Sequence, residues 1–175
     1  MKKILIFIVG FTIFTLVSCT AQNSISTEQV KNLVENNEFT FSATRAHPTN
    51  FDVINLMNSL PAGSSSRILD LDYGYGIVIK NGELVSTLPY FGRMYTPSMD
   101  RDKDSYRFTS KDFSIEKSQG KKNSQIITVK PRDLNYVRRI IFEVFPNGKA
   151  YVSVDSNDRQ PISYDGYLKG NQPEK

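Results

Sequence analysis

Thiol and imidazole chemistry are nearly missing from this chain: Cys19 is its one cysteine and His47 its one histidine. A lone thiol closes no intrachain disulfide, so the fold must be held by packing. One histidine cannot make a zinc site by itself. Any Ser-His-Asp arrangement would have to use it, and no Gly-x-Ser-x-Gly motif accompanies it. Long apolar runs are missing too. The greasiest stretch, Ile4 to Leu16, is broken by Thr12 and Thr15 and falls short of the ~20 residues a membrane helix needs. No block of like charge stands out, and no segment repeats.

What is there at the N-terminus is a leader. Lys2 and Lys3 precede the apolar centre, and Leu16-Val17-Ser18-Cys19 follows it. This order matches a secretory signal ending in a lipobox, the motif that has a cysteine acylated and made the first mature residue. The plainer reading is an ordinary signal peptide cut elsewhere, for example after Ala21. With Cys19 where a lipobox requires it, the lipidated form is the expectation, and two or three acyl chains anchor a protein lastingly. Cleavage before Cys19 removes 18 of 175 residues and two of 22 basic ones, so 157 remain and the net charge falls from +4 to +2. The basic balance belongs partly to the leader and gives no case for nucleic acid. The remainder is the right size for one domain with its own core.

After a polar tether, residues 19–25, a short helix is predicted over 26–37. Ser26 stands as cap with Gln29 reaching back, then Val30, Leu33 and Val34 follow at helical spacing before Asn36-Asn37. From 38 to 169 the pattern turns to strands. Phe39 and Phe41 alternate with polar partners. The region 50–67 is ambiguous: Val53, Leu56, Met57 and Leu60 share a helical face, but Pro61-Ala62-Gly63-Ser64 breaks anything there, and a loop or helical turn joining two strands is the expectation. Leu69, Leu71, Tyr73, Tyr75, Ile77 and Ile79 then alternate as one long strand. Asn81-Gly82 turns it back, pairing Lys80 with Glu83 and Ile79 with Leu84. A second hairpin runs through Pro146-Asn147-Gly148. A two-residue loop would set Val144 across from Tyr151. A three-residue loop with Gly148 left-handed sets Val144 against Ala150 and Phe142 against Val152, and keeps one apolar face. Tyr106-Arg107-Phe108, Phe113-Ser114-Ile115, Ile126 to Val129, and Ile162 with Tyr164 and Leu168 supply further strands, before a polar tail over 170–175. The predicted fold is all-β, an antiparallel sandwich or partly open barrel with one short N-terminal helix.

Several segments together carry a resemblance. They are Ala46-His47-Pro48, Leu88-Pro89-Tyr90-Phe91-Gly92-Arg93, Asn147-Gly148-Lys149-Ala150, Ser156-Asn157-Asp158-Arg159 and Ile162-Ser163-Tyr164-Asp165-Gly166. With them the chain resembles the Bacteroidetes-type exported lipoprotein domains grouped as domain of unknown function (DUF) 4251, over about Phe39 to Leu168. The resemblance implies an envelope location and an all-β fold, and no activity. In such bacteria many lipoproteins sit in the outer membrane, and surface export tends to need acidic residues just after the lipidated cysteine. Thr20-Ala21-Gln22-Asn23-Ser24 carries none, which implies the periplasmic face.

Each candidate site competes with a plainer role. His47, before Pro48, reads as a turn residue, although Asp52, Asp70 or Asp72 could orient it. Asp100, Asp102 and Asp104 space oxygens like a calcium loop, yet Arg101 and Lys103 neutralise them, and Ser105 and Lys111 stand where glycine and glutamate are wanted; no metal or other cofactor is expected. Asp70 and Asp72, two apart on a strand, could pair as acid and base, but a wet sheet face accounts for them. Lys117, Lys121, Lys122 and Lys130 make a basic patch at a hairpin tip that could touch anionic headgroups or peptidoglycan, but charge on an exposed hairpin also simply protects its edge. The aromatic stretch Tyr73, Tyr75, Tyr90, Phe91 and Tyr95 with Arg93 has the composition of a binding surface, against core packing around a tight turn at Gly92.

The expectation is a lipid-anchored, periplasmic-facing outer-membrane domain, attached through Cys19, that binds an envelope protein or small ligand without catalysis. The alternatives are a weak hydrolase using His47 or the Asp70/Asp72 pair, and a purely structural envelope component.

Overall fold

A computed structural model describes residues 25–61, 67–95 and 105–171. The leader, Cys19, the tether up to residue 24, the Asp100–Asp104 loop and the last four residues lie outside the described residues. Helix α1, Thr27–Asn36, begins with the expected capping box between Ser26 and Gln29. Strands β1 (Phe39–Pro48), β2 (Gly76–Lys80), β3 (Glu83–Pro89), β4 (Ser105–Ser110), β5 (Phe113–Gln119), β6 (Gln125–Pro131), β7 (Val137–Val144), β8 (Lys149–Ser156) and β9 (Ile162–Lys169) follow. A second helix, α2 (Phe51–Ser59), separates β1 from β2. Residues 51–59 are thus a full helix where a loop or helical turn was expected: the Asn50 side chain caps it through the N–H groups of Asp52 and Val53.

The nine strands make one antiparallel sheet in the order β4-β3-β2-β1-β9-β8-β7-β6-β5, a nearly closed barrel. The two edges, β4 and β5, are consecutive in the chain with only Lys111 and Asp112 between them. A flat sheet of nine strands spaced ~4.8 Å apart would hold its edges far apart, so this short link requires the sheet to roll up. Asp133, beyond β6, clips the corner. Its carboxylate accepts from Ser110 Oγ and from the N–H groups of Lys111 at 2.8 Å and Asp112 at 3.3 Å. Across the interior, Ser156 Oγ on β8 donates to Tyr106 Oη on β4 at 2.9 Å.

Inward positions carry the apolar residues: Phe39, Phe41, Ile77, Leu84, Ile127, Ile140, Phe142, Val152 and Tyr164 are all fully buried. Val30 and Val34 of α1 are buried with them, and a Cβ on Gly148 in the β7–β8 turn would meet Ile25 and Val30, so the helix packs at that end of the barrel.

Both hairpins adopt the expected registers. Lys80 pairs with Glu83 and Ile79 with Leu84; Val144 pairs with Ala150 and Phe142 with Val152. The three-residue loop prevails because Gly148 takes φ 80°, a conformation a side chain would strain. The long strand predicted from Leu69 is a correction, because β2 begins only at Gly76. The segment before it does run beside β1: Ala43 N–H donates to Tyr75 O, Leu71 N–H to Thr44 O and Ala46 N–H to Leu69 O. Between Tyr75 and Leu71 three residues, Asp72-Tyr73-Gly74, have no counterpart on β1. They are extruded as a bulge, with Gly74 at φ 107°. On its other side β1 shifts register against β9 at the same point, between Ala43 and Arg45.

Candidate functional site

The six aromatic and arginine residues singled out from sequence do not form one cluster. Tyr90 turns into the open end of the barrel. Its ring meets Tyr106 edge to face at 5.7 Å, and its hydroxyl donates to the carbonyls of Arg93 and Gln160. Phe91 packs partly buried against the core. Arg93 and Tyr95 serve through their backbones: Gln160 N–H donates to Arg93 O, and Tyr95 N–H to Asp158 O. Met94 bridges Arg159 in the same short ladder. The Leu-Pro-Tyr-Phe-Gly-Arg segment thus folds over the barrel mouth and buries what lies beneath.

Beneath it lies Arg159, only 1% exposed. Its guanidinium sits 5.1 Å from the Tyr90 ring centre and 4.9 Å from that of Tyr106. Both oxygens of Asp158 receive it, at 3.0 and 2.8 Å. Burial alone would draw the proton from this group. The Asp158 hydrogen bonds and charge outweigh that and hold the arginine above its ordinary value. Burial drives the Tyr106 and Tyr164 phenols far up, and raises Tyr90 and Tyr136 as well, so all four stay neutral at physiological pH. The charged pair is satisfied internally. This is a structural lock.

Tyr73 and Tyr75 lie elsewhere. Tyr75 packs partly buried on the core, but the bulge lifts Tyr73 to 90% exposure. There it meets β9: Lys169 Nζ lies 4.9 Å from the Tyr73 ring centre and 4.6 Å from that of Tyr167. Contact with the two phenols outweighs the effect of burial and raises the lysine further, keeping it charged. Tyr73 stands between two hollows on the outer sheet face. A groove of about 1300 Å³ runs between α1 and the outer side of β9 and β8, and one of about 430 Å³ lies over β1 and β2. Thr44, Tyr73, Tyr167, Lys169 and Gly170 line both.

The irregularity of β1 makes this possible. A Cβ on Gly166 would fall 2.1 Å from Ser42 O, and one on Gly76 equally close to Phe41 O. Glycine on both neighbours lets the bent strand press against them, and bulges of this kind re-aim side chains.

Cross-strand pairing sets Lys149 opposite Tyr167 and Tyr151 opposite Asp165. The groove floor therefore alternates rings with charges. Tyr151, Tyr167, Lys169 and Asp165 were not singled out from sequence. Strand parity held the signal, since these residues alternate with the inward Val152, Tyr164 and Leu168.

His47 is not a turn residue: it lies within β1, opposite Ser163. Its partner is none of the three expected carboxylates but Asp165, with Nε2 and Oδ2 2.7 Å apart on a half-exposed surface. The Ser163 hydroxyl, at 3.5 Å, turns to the His47 backbone carbonyl. Asp70 and Asp72 do not pair on a strand either. Asp70 takes Arg45 at 3.0 Å, while Asp72 belongs to the bulge. Lys117 caps the Glu35 carbonyl of α1, and Lys130 pairs with Glu116. Among the described residues no group of three or more His, Cys, Asp or Glu is placed to hold a metal ion, and no helix is long and apolar enough to cross a membrane.

Fold and groove together define a small antiparallel β-barrel module capped by a helix, with a bulge-borne tyrosine on its outer face. The family described as domain of unknown function DUF4251 matches residues 21–168, and the chain belongs to it. No curated protein matches the sequence.

Proposed function

We propose that the protein is a binding module of the cell envelope, lipidated at Cys19 and held at the periplasmic face of the outer membrane, which engages an envelope partner or ligand without catalysis. The lipobox and the acid-free residues after it support the location. The binding role rests on one observation: the barrel extrudes three residues to hold the Tyr73 ring in solvent, between two hollows. Burying a ring in the core would need no bulge. The ring is not isolated there: Lys169 lies against both it and Tyr167, and tyrosines gathered with a cation are a composition of recognition surfaces.

Of the residues first proposed for binding, Tyr73 keeps that role in this reading. Tyr90 and Phe91 contribute packing, and the backbones of Arg93 and Tyr95 close the barrel mouth. The hydrolase alternative has the His47–Asp165 contact in its favour. It needs a nucleophile facing the ring, and Ser163 faces the backbone instead.

The test is a photo-reactive amino acid at position 73 in the anchored protein in cells. Capture of a discrete partner, lost when the probe is moved to an exposed position on β5, supports the reading. Mass spectrometry of the processed chain checks the anchor: an unmodified Cys19 would remove it.

A further inference from the structure

We infer that the groove between α1 and the outer face of β8 and β9 takes a glycan chain, and one whose sugars carry carboxylates. The inference rests on the binding role proposed for Tyr73 and names the ligand chemistry of that site. A pyranose ring has an apolar face of C–H bonds that packs on an aromatic ring, and a rim of hydroxyls that need both donors and acceptors. The groove matches both demands. Tyr73, Tyr151 and Tyr167 present rings, with Tyr73 90% and Tyr151 39% exposed. Gln29, Asn32 and Asn147 line the same groove; the oxygens of Gln29 and Asn147 already accept from the backbone N–H groups of Ser26 and Lys149, so these two offer their NH2 donors, while the Asn32 amide and the Asp165 carboxylate supply acceptors.

Size and charge narrow the class. At about 1300 Å³ the groove exceeds the ~300–1000 Å³ of small-molecule pockets, and it runs open along the sheet, which suits a chain. A polypeptide partner would favour an apolar centre depleted of charge. Here the rings alternate with Lys149, Asp165 and Lys169. Two lysines face one aspartate that already pairs with His47, so the floor is locally positive and prefers acidic sugars.

The test is isothermal titration of the full mature protein in detergent with two probes, an oligogalacturonate hexamer and neutral chitohexaose. The inference expects the acidic oligomer to bind more tightly. Tyr73→Ala should raise its Kd about tenfold, the scale of one aromatic contact, with the thermal melt unchanged because the ring is exposed. Lys169→Gln should remove the preference for the acidic oligomer. Binding of neither probe, or binding untouched by Tyr73→Ala, overturns the glycan. Equal affinity for both probes overturns the acidic assignment. If position 73 crosslinks a polypeptide while neither oligomer binds, the glycan fails and the binding role stands. If nothing is captured and nothing binds, both fall.

Discussion

The rings of Phe39 on β1 and Phe142 on β7 meet edge to face, 5.5 Å between centroids, although β9 and β8 lie between their strands in the sheet. Three strand spacings of ~4.8 Å would separate them on a flat surface. The contact therefore reports closure of the barrel directly, and Phe41 adds a second edge to it at 6.2 Å. Phe142→Ala would empty the point where the two halves of the sheet meet. The expected cost is about 3–5 kcal/mol, as for other buried phenylalanines, read as a lowered urea midpoint.

Arg159 and Asp158 predict an asymmetric mutational pattern. Removing one partner of a buried pair strands the other charge, and the stranded charge costs more when it is Arg159, 1% exposed, than when it is Asp158, 26% exposed and within reach of water. Asp158→Ala should cost about 3–5 kcal/mol by this argument. Arg159→Met, whose chain still fills the space between Tyr90 and Tyr106, should cost clearly less than Arg159→Ala. Urea melts of the three variants decide it. Equal losses for Met and Ala would show that the cation on the rings, rather than filled volume, holds the barrel mouth.

Asp133 predicts an acid-sensitive corner. The hydrogen bond from Ser110, and then those from the Lys111 and Asp112 backbone, lower its carboxyl below the ordinary 3.8. A depressed folded-state value means that the folded form favours the carboxylate. The contribution is full above the unfolded value of about 4 and is lost as the pH falls through the lower folded one. Asp133→Asn should therefore narrow the stability gap to wild type as the solution is acidified, and leave a pH-independent deficit near neutrality. Urea midpoints measured from neutral pH downward check this.

Where sequence and structure agree, local chemistry and pairing point the same way. Gly148 and Asn81-Gly82 can turn only as they do, and the Ser26–Gln29 box needs no tertiary partner, so hairpin registers and helix start were legible. The alternation from Leu69 to Ile79 misled because a period of two is blind to residues looped out between two correctly paired ends. Only the matching break in β1 reveals them, and that break is a property of two neighbouring strands. His47–Asp165 was hidden for the same reason, its partners standing 118 positions apart in the chain. Arg159 carried no mark of burial, because long charged side chains are rarely buried without a partner. Here the partner is its immediate neighbour.

The bulge makes a sharp prediction of its own. Deleting Asp72-Tyr73-Gly74 joins Leu71 to Tyr75, whose partners on β1, Thr44 and Ala43, are already adjacent. The pairing can then run on without interruption. Stability should change by about 1 kcal/mol or less, as for changes away from core and caps, while any crosslink or ligand that depends on position 73 disappears. A large loss of stability would instead make the bulge a structural requirement of the bent strand.

His47→Ala separates the binding and hydrolytic readings. The His47–Asp165 contact is half-exposed, and even a charged pair at the surface contributes only about 0.2–1 kcal/mol. The variant should therefore melt within that margin of wild type. If the protein binds without catalysis, position-73 crosslinking should persist in the variant. Any turnover of model esters or glycosides by the purified protein should also be unaffected. An ester hydrolysis that is present in wild type and abolished by His47→Ala, with the melt unchanged, would reinstate the histidine as a base and send the search to the hydroxyl it activates.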